Sequence, residues 1–229
     1  MKASGHKLSF DGVVVGIILR GDGVARSGRT LSLSGPGSIF TVGSGVTLIL
    51  DGITLRGMDA NTASLVTVEP GGNLIMEEGT VITGNTVTGA NTSSVGVGVL
   101  VEGTFTMNGG RISNNHIDIA TWSGGGGVFI YTGAKFEMKY GTISGNSVGN
   151  GGGGVLSNGM FVMTDGAIYG NSSGQGGGGV SVGGEFIMEG GTISDNNAGG
   201  GGVHICGGIF SMNDGEIINS QRPPVKPGA

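Results

Sequence analysis

A motif of about a dozen residues recurs along this chain, and the repeat restricts the fold more than any other feature. It reads GTFTMNGGRISNN at residues 103–115 and returns as GAKFEMKYGTISGN, GMFVMTDGAIYGN and GEFIMEGGTISDN. Steps of 24 to 31 residues separate the aligned apolar positions Leu74, Phe105, Phe136, Phe161, Phe186 and Phe210. Repeats of this length are typical of a solenoid, in which each copy stacks on the previous one.

Each copy contains three short strand patterns, which read GVFI, KFEM and GTIS in one of them. Alternate residues of a strand point to opposite faces, so we expect Phe136 and Met138 to face a core and Lys135 and Glu137 to face water. Copies of one strand can stack about 4.8 Å apart. The predicted fold class is therefore all-β, a parallel β-helix with three sheets and about eight rungs.

The corners between strands are rich in Gly and Asn, which tolerate left-handed backbone conformations. An Asn follows the third strand of most copies, at Asn115, Asn146, Asn171 and Asn196. Stacked at one corner, these amides can donate and accept hydrogen bonds from rung to rung. We interpret them as structural residues rather than as ligand-binding residues.

The repeat also defines the expected domain organisation. Residues 1–220 are predicted to form a single parallel β-helix domain, whose first residues cap the open N-terminal end because an uncapped rung exposes a sheet edge. The final stretch QRPPVKPGA, residues 221–229, contains three prolines and departs from the repeat. Such a segment suits a Pro-rich linker or tail, and we expect it to join this domain to a catalytic domain of a larger protein.

Charge and composition narrow the range of partners. The 11 basic residues are scattered, and the net charge is −5, so nucleic acid is not an expected partner. The longest apolar run, GVVVGIIL, is too short to span a membrane, and no signal peptide is visible. Cys206 is the chain's single cysteine, which excludes an intrachain disulfide.

The GGGGV leads, F-x-M strands and G-T-I-S-x-N corners resemble the Gly- and Asn-rich right-handed β-helix repeats of bacterial surface proteins. Chlamydial polymorphic membrane proteins look similar in kind, although their two sequence boxes differ from GGGGV and ISGN. The wider resemblance is to the pectin-lyase-like superfamily, which contains polysaccharide lyases, glycoside hydrolases, adhesins, tailspikes and non-catalytic xylan-binding modules. This resemblance implies a right-handed β-helix, and it leaves the function open because one fold serves many functions.

Catalytic motifs of the superfamily are missing from the sequence. The galacturonan hydrolases carry Asn-Thr-Asp, Asp-Asp, Gly-His-Gly and Arg-Ile-Lys motifs, none of which occurs here. Outward acids such as Glu185 and Glu189 lie about 13 Å apart along one strand, so they do not form a carboxylate pair across one cleft. We expect no catalytic residues, no enzyme activity and no cofactor. A structural calcium ion at the Asn and Asp corners stays open.

Two adjacent early copies contain longer loops, at residues 86–98 and 116–127. The second loop contains the chain's single tryptophan, Trp122. The alternation of the following strand places Phe129 and Tyr131 on its outer face, and we expect an exposed aromatic patch there. Sugar rings stack on aromatic side chains while their hydroxyls bond to polar groups. The expected ligand-binding residues are therefore Trp122, Tyr131, Phe129, Glu102, Asp118 and Asn158.

These features favour a non-catalytic carbohydrate-binding module for a plant cell-wall polysaccharide, with xylan suggested by the resemblance alone. The expected location is extracellular or at the cell surface. One alternative is an adhesin-like surface repeat that serves mainly as a rod, and another is a polysaccharide lyase or glycoside hydrolase. Paired Thr and Ser side chains on one face also resemble an ice-binding array, but bulky side chains interrupt it.

Overall fold

The computed structural model describes residues 2–3, 6–8, 14–21, 29–88, 95–118 and 123–220. Their strands stack from turn to turn along one axis and form four parallel sheets. The chain passes from sheet 2 to sheet 3, sheet 1 and sheet 4 before it returns to sheet 2 one turn further on. About seven turns follow one another in this way. The predicted parallel β-solenoid is confirmed, and the fourth, smaller sheet is an addition to the three that were expected.

Three sheets enclose the core. Sheet 1 has nine strands, Lys2–Ala3, Arg29–Leu33, Ile53–Arg56, Val81–Thr83, Arg111–Ser113, Thr142–Ser144, Ala167–Tyr169, Thr192–Ser194 and Glu216–Ile218. Sheet 2 has eight, His6–Leu8, Phe40–Val42, Val66–Val68, Val99–Val101, Val128–Ile130, Val155–Ser157, Val180–Val182 and Val203–Ile205. Sheet 3 has eight, Val15–Arg20, Val46–Asp51, Asn73–Met76, Thr104–Met107, Lys135–Met138, Met160–Met163, Glu185–Met188 and Ile209–Met212.

Sheet 4 lies between sheets 1 and 2 along the chain. Its seven strands are Thr86–Val87, Val95–Gly96, His116–Ile117, Ser123–Gly125, Ser147–Gly152, Ser172–Gly177 and Asn197–Ala198. Beneath it, Val87, Val97, Ile117 and Val148 form a second, small apolar cluster. The glycine-rich leads therefore contain strands of their own, which pair with the same segment of the next turn.

The core is built of ladders of like side chains. In sheet 3, the register places Phe105 on Phe136 and Met107 on Met138, and all four are fully buried. The predicted inward parity is confirmed. A rung exposes its inner face unless a neighbour covers it, so the repeated sequence is the direct consequence of stacking.

The corner between sheets 1 and 4 contains the predicted asparagine ladder. Amide Nδ2 atoms donate to the Oδ1 atom one turn further on, from Asn115 to Asn146, from Asn146 to Asn171 and from Asn171 to Asn196, over 2.9 to 3.0 Å. Asn85 extends the row towards the N-terminus through its backbone N–H, which donates to Asn115 Oδ1. The expected structural role of these residues is confirmed.

The two ends of the solenoid differ in how their last strands are covered. The N-terminal residues were expected to cap the helix, and their described strands, Lys2–Ala3 and His6–Leu8, extend sheets 1 and 2 by one strand each. At the other end, the final rung leaves Ile205, Ile209 and Met212 exposed. Residues 221–229, predicted to be a linker or tail, lie outside the described residues.

Candidate functional site

Three of the expected ligand-binding residues lie in one column on the outer side of the solenoid. Sheet 2 pairs Val101 with Ile130 and Ile130 with Ser157, so the residues that follow them, Glu102, Tyr131 and Asn158, occupy the same position on three successive turns. The spacing between turns is about 4.8 Å. The Tyr131 N–H donates to the Val101 carbonyl over 2.8 Å, and the Asn158 N–H donates to the Ile130 carbonyl over 2.9 Å.

The side chains of this column are open to solvent. The Tyr131 side chain is exposed to 46%, and Asn158 is also exposed. Glu102 is half-buried. The column therefore offers one aromatic ring with a carboxylate on one side and an amide on the other. We call Glu102, Tyr131 and Asn158 the tyrosine column.

Phe129 is not part of an exposed patch, and that expectation is wrong. Its side chain is only 1% exposed, and its ring lies edge-on to Tyr131 with 5.8 Å between the centroids. The alternation of sheet 2 does direct Phe129 away from the main core, but sheet 4 covers this outer face. The same packing is visible two turns on, where the hydroxyl of Ser181 lies between Gly151 and Gly177 of sheet 4. Phe129 can thus orient Tyr131 but cannot meet a ligand.

Of the remaining two expected residues, the structure describes only Asp118. Asp118 follows the strand His116–Ile117 and is exposed, with Oδ1 3.8 Å from the Nε2 atom of His116. It therefore lies beside sheet 4, whereas the tyrosine column follows sheet 2. Trp122 lies outside the described residues, and its role stays a prediction.

The described strands show where the two longer stretches of sequence fall. The strand Ser147–Gly152 pairs with both His116–Ile117 and Ser123–Gly125, through His116 with Ser147 and Ser123 with Asn150, so these two strands are further apart in sequence than the equivalent parts of the next turn. The registers of Val87 with Ile117 and of Val95 with Gly124 show the same for the preceding turn. Residues 89–94 and 119–122, which the long loops were predicted to contain, lie outside the described residues.

A groove of about 600 Å³ begins at Asn158 and follows the last described turns. One side of it is formed by the outer face of sheet 2, and the other by the glycine-rich part of sheet 4. Its lining residues are Asn150, Gly151, Leu156, Asn158, Gly174, Gln175, Gly176, Ser181, Gly199, Gly200, His204 and Cys206. The tyrosine column thus leads along the solenoid axis into a cavity.

The groove exists because the outward row of side chains on sheet 2 changes from large apolar residues to smaller or polar ones. The outward residues of successive sheet 2 strands are Leu100, Phe129, Leu156, Ser181 and His204. Large apolar side chains fill this space in the earlier turns, whereas Ser181 is small. Its hydroxyl donates to the Gly151 carbonyl over 3.1 Å and accepts the Gly177 N–H over 2.9 Å. Ser181 therefore holds sheet 4 in place while leaving room beside itself.

Several polar groups of the groove have no protein partner. Within the described part of the chain, the side-chain amides of Asn150, Asn158 and Gln175 make no hydrogen bond, and the Nδ1 atom of His204 is shielded without a partner. Sequence reasoning identified only Asn158 among them. The change from Leu156 to Ser181 in the outward row of sheet 2 was the sequence signal for the groove. The alternation of side chains along a strand does not show which element covers its outer face, so this signal could not be interpreted from the sequence.

A second cavity, of about 420 Å³, lies on the outer face of sheet 3 near the N-terminal end. Its charged groups are engaged with the protein itself. The Arg20 Nε atom donates to Asp51 Oδ2 over 2.8 Å, and the Asn108 amide donates to Glu77 Oε1 over 2.9 Å. These bonds link adjacent turns, so this surface is accounted for by stacking of the rungs.

No model of a known protein family, no curated protein and no solved structure matches this chain. Within the described ranges, no group of three or more His, Cys, Asp and Glu side chains is arranged to hold a metal ion. The same residues contain no helix of the length and apolar character needed to cross a membrane.

Proposed function

We propose that this chain is a non-catalytic carbohydrate-binding β-helix. The observation that carries the proposal is the tyrosine column, in which an exposed ring stands between a carboxylate and an amide and leads into a groove that contains several polar side chains. Aromatic faces stack on the apolar faces of sugar rings, and neighbouring polar groups bond to the hydroxyls. A ligand that extends along the solenoid would meet these groups in sequence, as a polysaccharide chain can.

The finer assignment rests on the resemblance of the repeats. We propose that the chain is a right-handed β-helix of the pectin-lyase-like superfamily and that its ligand is a plant cell-wall polysaccharide such as xylan. We also propose that it lies outside the cell or at the cell surface and is fused to a catalytic domain. Trp122 precedes Tyr131 closely in the sequence, in the same copy of the repeat, and this position suits a second aromatic contact with the ligand.

Affinity gel electrophoresis of the purified chain tests this function. Xylan, mixed-linkage glucan, pectin, mannan and soluble cellulose are each cast into the gel, and reducing-sugar release is assayed from each mixture. We expect at least one glycan to retard the protein and no product to form. Tyr131→Ala should weaken binding about tenfold, as expected for loss of a central aromatic contact.

The matched control is Tyr140→Ala, because Tyr140 is also exposed but lies at the corner between sheets 3 and 1. It should leave retardation unchanged. Trp122→Ala should weaken binding in the same direction as Tyr131→Ala. Absence of retardation by every glycan would overturn the proposal, and release of reducing sugar would replace it with an enzymatic function.

The second candidate is a surface repeat whose task is to be a rod. The observation that favours it is the continuity of the ladders, since both the asparagine row and the phenylalanine row run through successive turns of the described chain. A rod needs no ligand, so it predicts that no glycan retards the protein and that the tyrosine variant behaves as the wild type.

A further inference from the structure

We infer that the groove beyond Asn158 is a subsite for an uncharged sugar unit, so that the chain selects neutral polysaccharides over acidic ones. This inference rests on the carbohydrate-binding function proposed above and specifies its ligand class. Its first support is the lining, which among the described residues contains neither a carboxylate nor an ammonium or guanidinium group. A uronate carboxylate placed there would lose water without gaining a fixed cationic partner, which is unfavourable.

The polar groups of the groove match hydroxyls. Each of the amides of Asn150, Asn158 and Gln175 offers two N–H donors and one oxygen acceptor, and none of these is used by another described residue. A sugar hydroxyl both donates and accepts, so it can pair with either end of an amide. Three such amides around one cavity give a neutral ligand several hydrogen bonds without any ion pair.

His204 lies at the far end of the groove. Among the described residues, its Nδ1 atom is shielded and has no hydrogen-bond partner. A ring nitrogen of an imidazole donates or accepts according to the tautomer, and a sugar hydroxyl can pair with either form because it both donates and accepts. His204 thus adds a fourth polar side chain that can bond an uncharged ligand.

Part of the groove wall is glycine backbone without side chains. Gly176 has a φ of 95°, and a Cβ atom there would lie 2.4 Å from the Gly151 carbonyl oxygen and 2.8 Å from the Ser181 hydroxyl. Glycine is thus required at this position, and it leaves the wall of the groove free of a side chain. Cys206 is the residue equivalent to Tyr131 three turns further on, a distance of about 14 Å, so a chain of several sugar units can contact the ring and the groove together.

The test combines a ligand panel with two groove variants. Neutral glycans, namely unsubstituted xylan, mixed-linkage glucan and galactomannan, are compared with polygalacturonate and alginate by affinity gel electrophoresis. Ser181→Leu fills the groove with the side chain that the preceding turn has at Leu156, and it should weaken binding about tenfold. Gln175→Ala removes one amide without adding bulk and should weaken binding about threefold to tenfold.

The control is Asn213→Ala, which removes an amide that follows sheet 3 and bonds to Glu189; it should leave binding unchanged. Circular dichroism and thermal unfolding establish that each variant is folded, and Gln175→Ala decides the question if Ser181→Leu does not fold. Binding that is lost in Tyr131→Ala but kept in both groove variants would overturn the subsite alone. Preference for polygalacturonate or alginate would overturn the ligand class, and absence of binding to every glycan would overturn the underlying function.

Discussion

At the scale of single residues, the asparagine row shows how a polar side chain can occupy the interior of a solenoid. Asn146 is only 1% exposed, yet all of its amide groups are paired. Its Oδ1 atom accepts from the backbone N–H and the Nδ2 atom of Asn115, and its own Nδ2 donates to the Ile112 carbonyl and to Asn171 Oδ1. Because both ends of the amide are used, neither a carboxylate nor an aliphatic side chain can replace it.

We predict that Asn146→Asp lowers the free energy of unfolding by about 2–4 kcal/mol. The carboxylate keeps the shape of the amide but has no N–H, so the Ile112 carbonyl and Asn171 Oδ1 lose their donor in a buried site. Urea unfolding followed by circular dichroism measures the loss.

The control for this prediction is Asn213→Ala, because Asn213 bonds to Glu189 on the exposed surface. A change of no more than about 0.5 kcal/mol is expected there. A shift of equal size in both variants would mean that the ladder contributes no more than a surface hydrogen bond does.

At the scale of the elements, the phenylalanine row of sheet 3 raises the question of whether the rings are needed or only their volume. Five rings stack from Phe105 to Phe210 with centroids 4.6 to 5.0 Å apart and nearly parallel planes. The same column begins with Ile17, Leu48 and Leu74 in the earlier turns. Leucine can thus fill this position, so apolar volume is the primary requirement.

We predict that Phe161→Ala destabilises the protein by about 3–5 kcal/mol, because it leaves a cavity in the middle of the row. Phe161→Leu should cost less, about 1–2 kcal/mol, since it keeps most of the volume and loses the contacts between rings. Urea unfolding followed by circular dichroism measures both losses.

The two substitutions distinguish packing from stacking. Equal losses in Phe161→Leu and Phe161→Ala would show that ring stacking, and not volume, holds sheet 3 together. In that case the leucines of the first turns would mark a less stable end of the molecule.

The elements also show what the sequence can and cannot reveal. The inward Phe and Met columns and the Asn corner follow from periodicity, because parity decides which face a side chain takes. Sheet 4 was not predicted, since its longer strands are rich in glycine, which has low β propensity, and pairing there depends on the backbone of the next turn. Phe129 was misplaced for the same reason, because parity does not show that another sheet covers the outer face.

At the scale of the whole molecule, each turn contacts only its neighbours, and stability is approximately a sum over turns and their interfaces. A complete turn should therefore be removable if the register is kept. Thr142 pairs with Ala167 at equivalent positions of two successive turns. Deleting residues 142–166 joins Gly141 to Ala167 and brings Phe136 onto Phe186. Equivalent residues of the two remaining turns then stack on each other in every row.

We predict that this deletion gives a folded protein that is shorter by one strand spacing, about 4.8 Å, and somewhat less stable. Circular dichroism should show the same β signal per residue, and small-angle X-ray scattering should show the shorter maximum dimension. Deleting residues 142–167 instead removes one residue more and places Tyr169 where Ile143 faced the core. A one-residue slip of this kind exchanges the inner and outer faces of the strand, so this variant should lose cooperative unfolding. If both deletions fold equally well, the ladders are not what fixes the register, and the glycine corners must fix it instead.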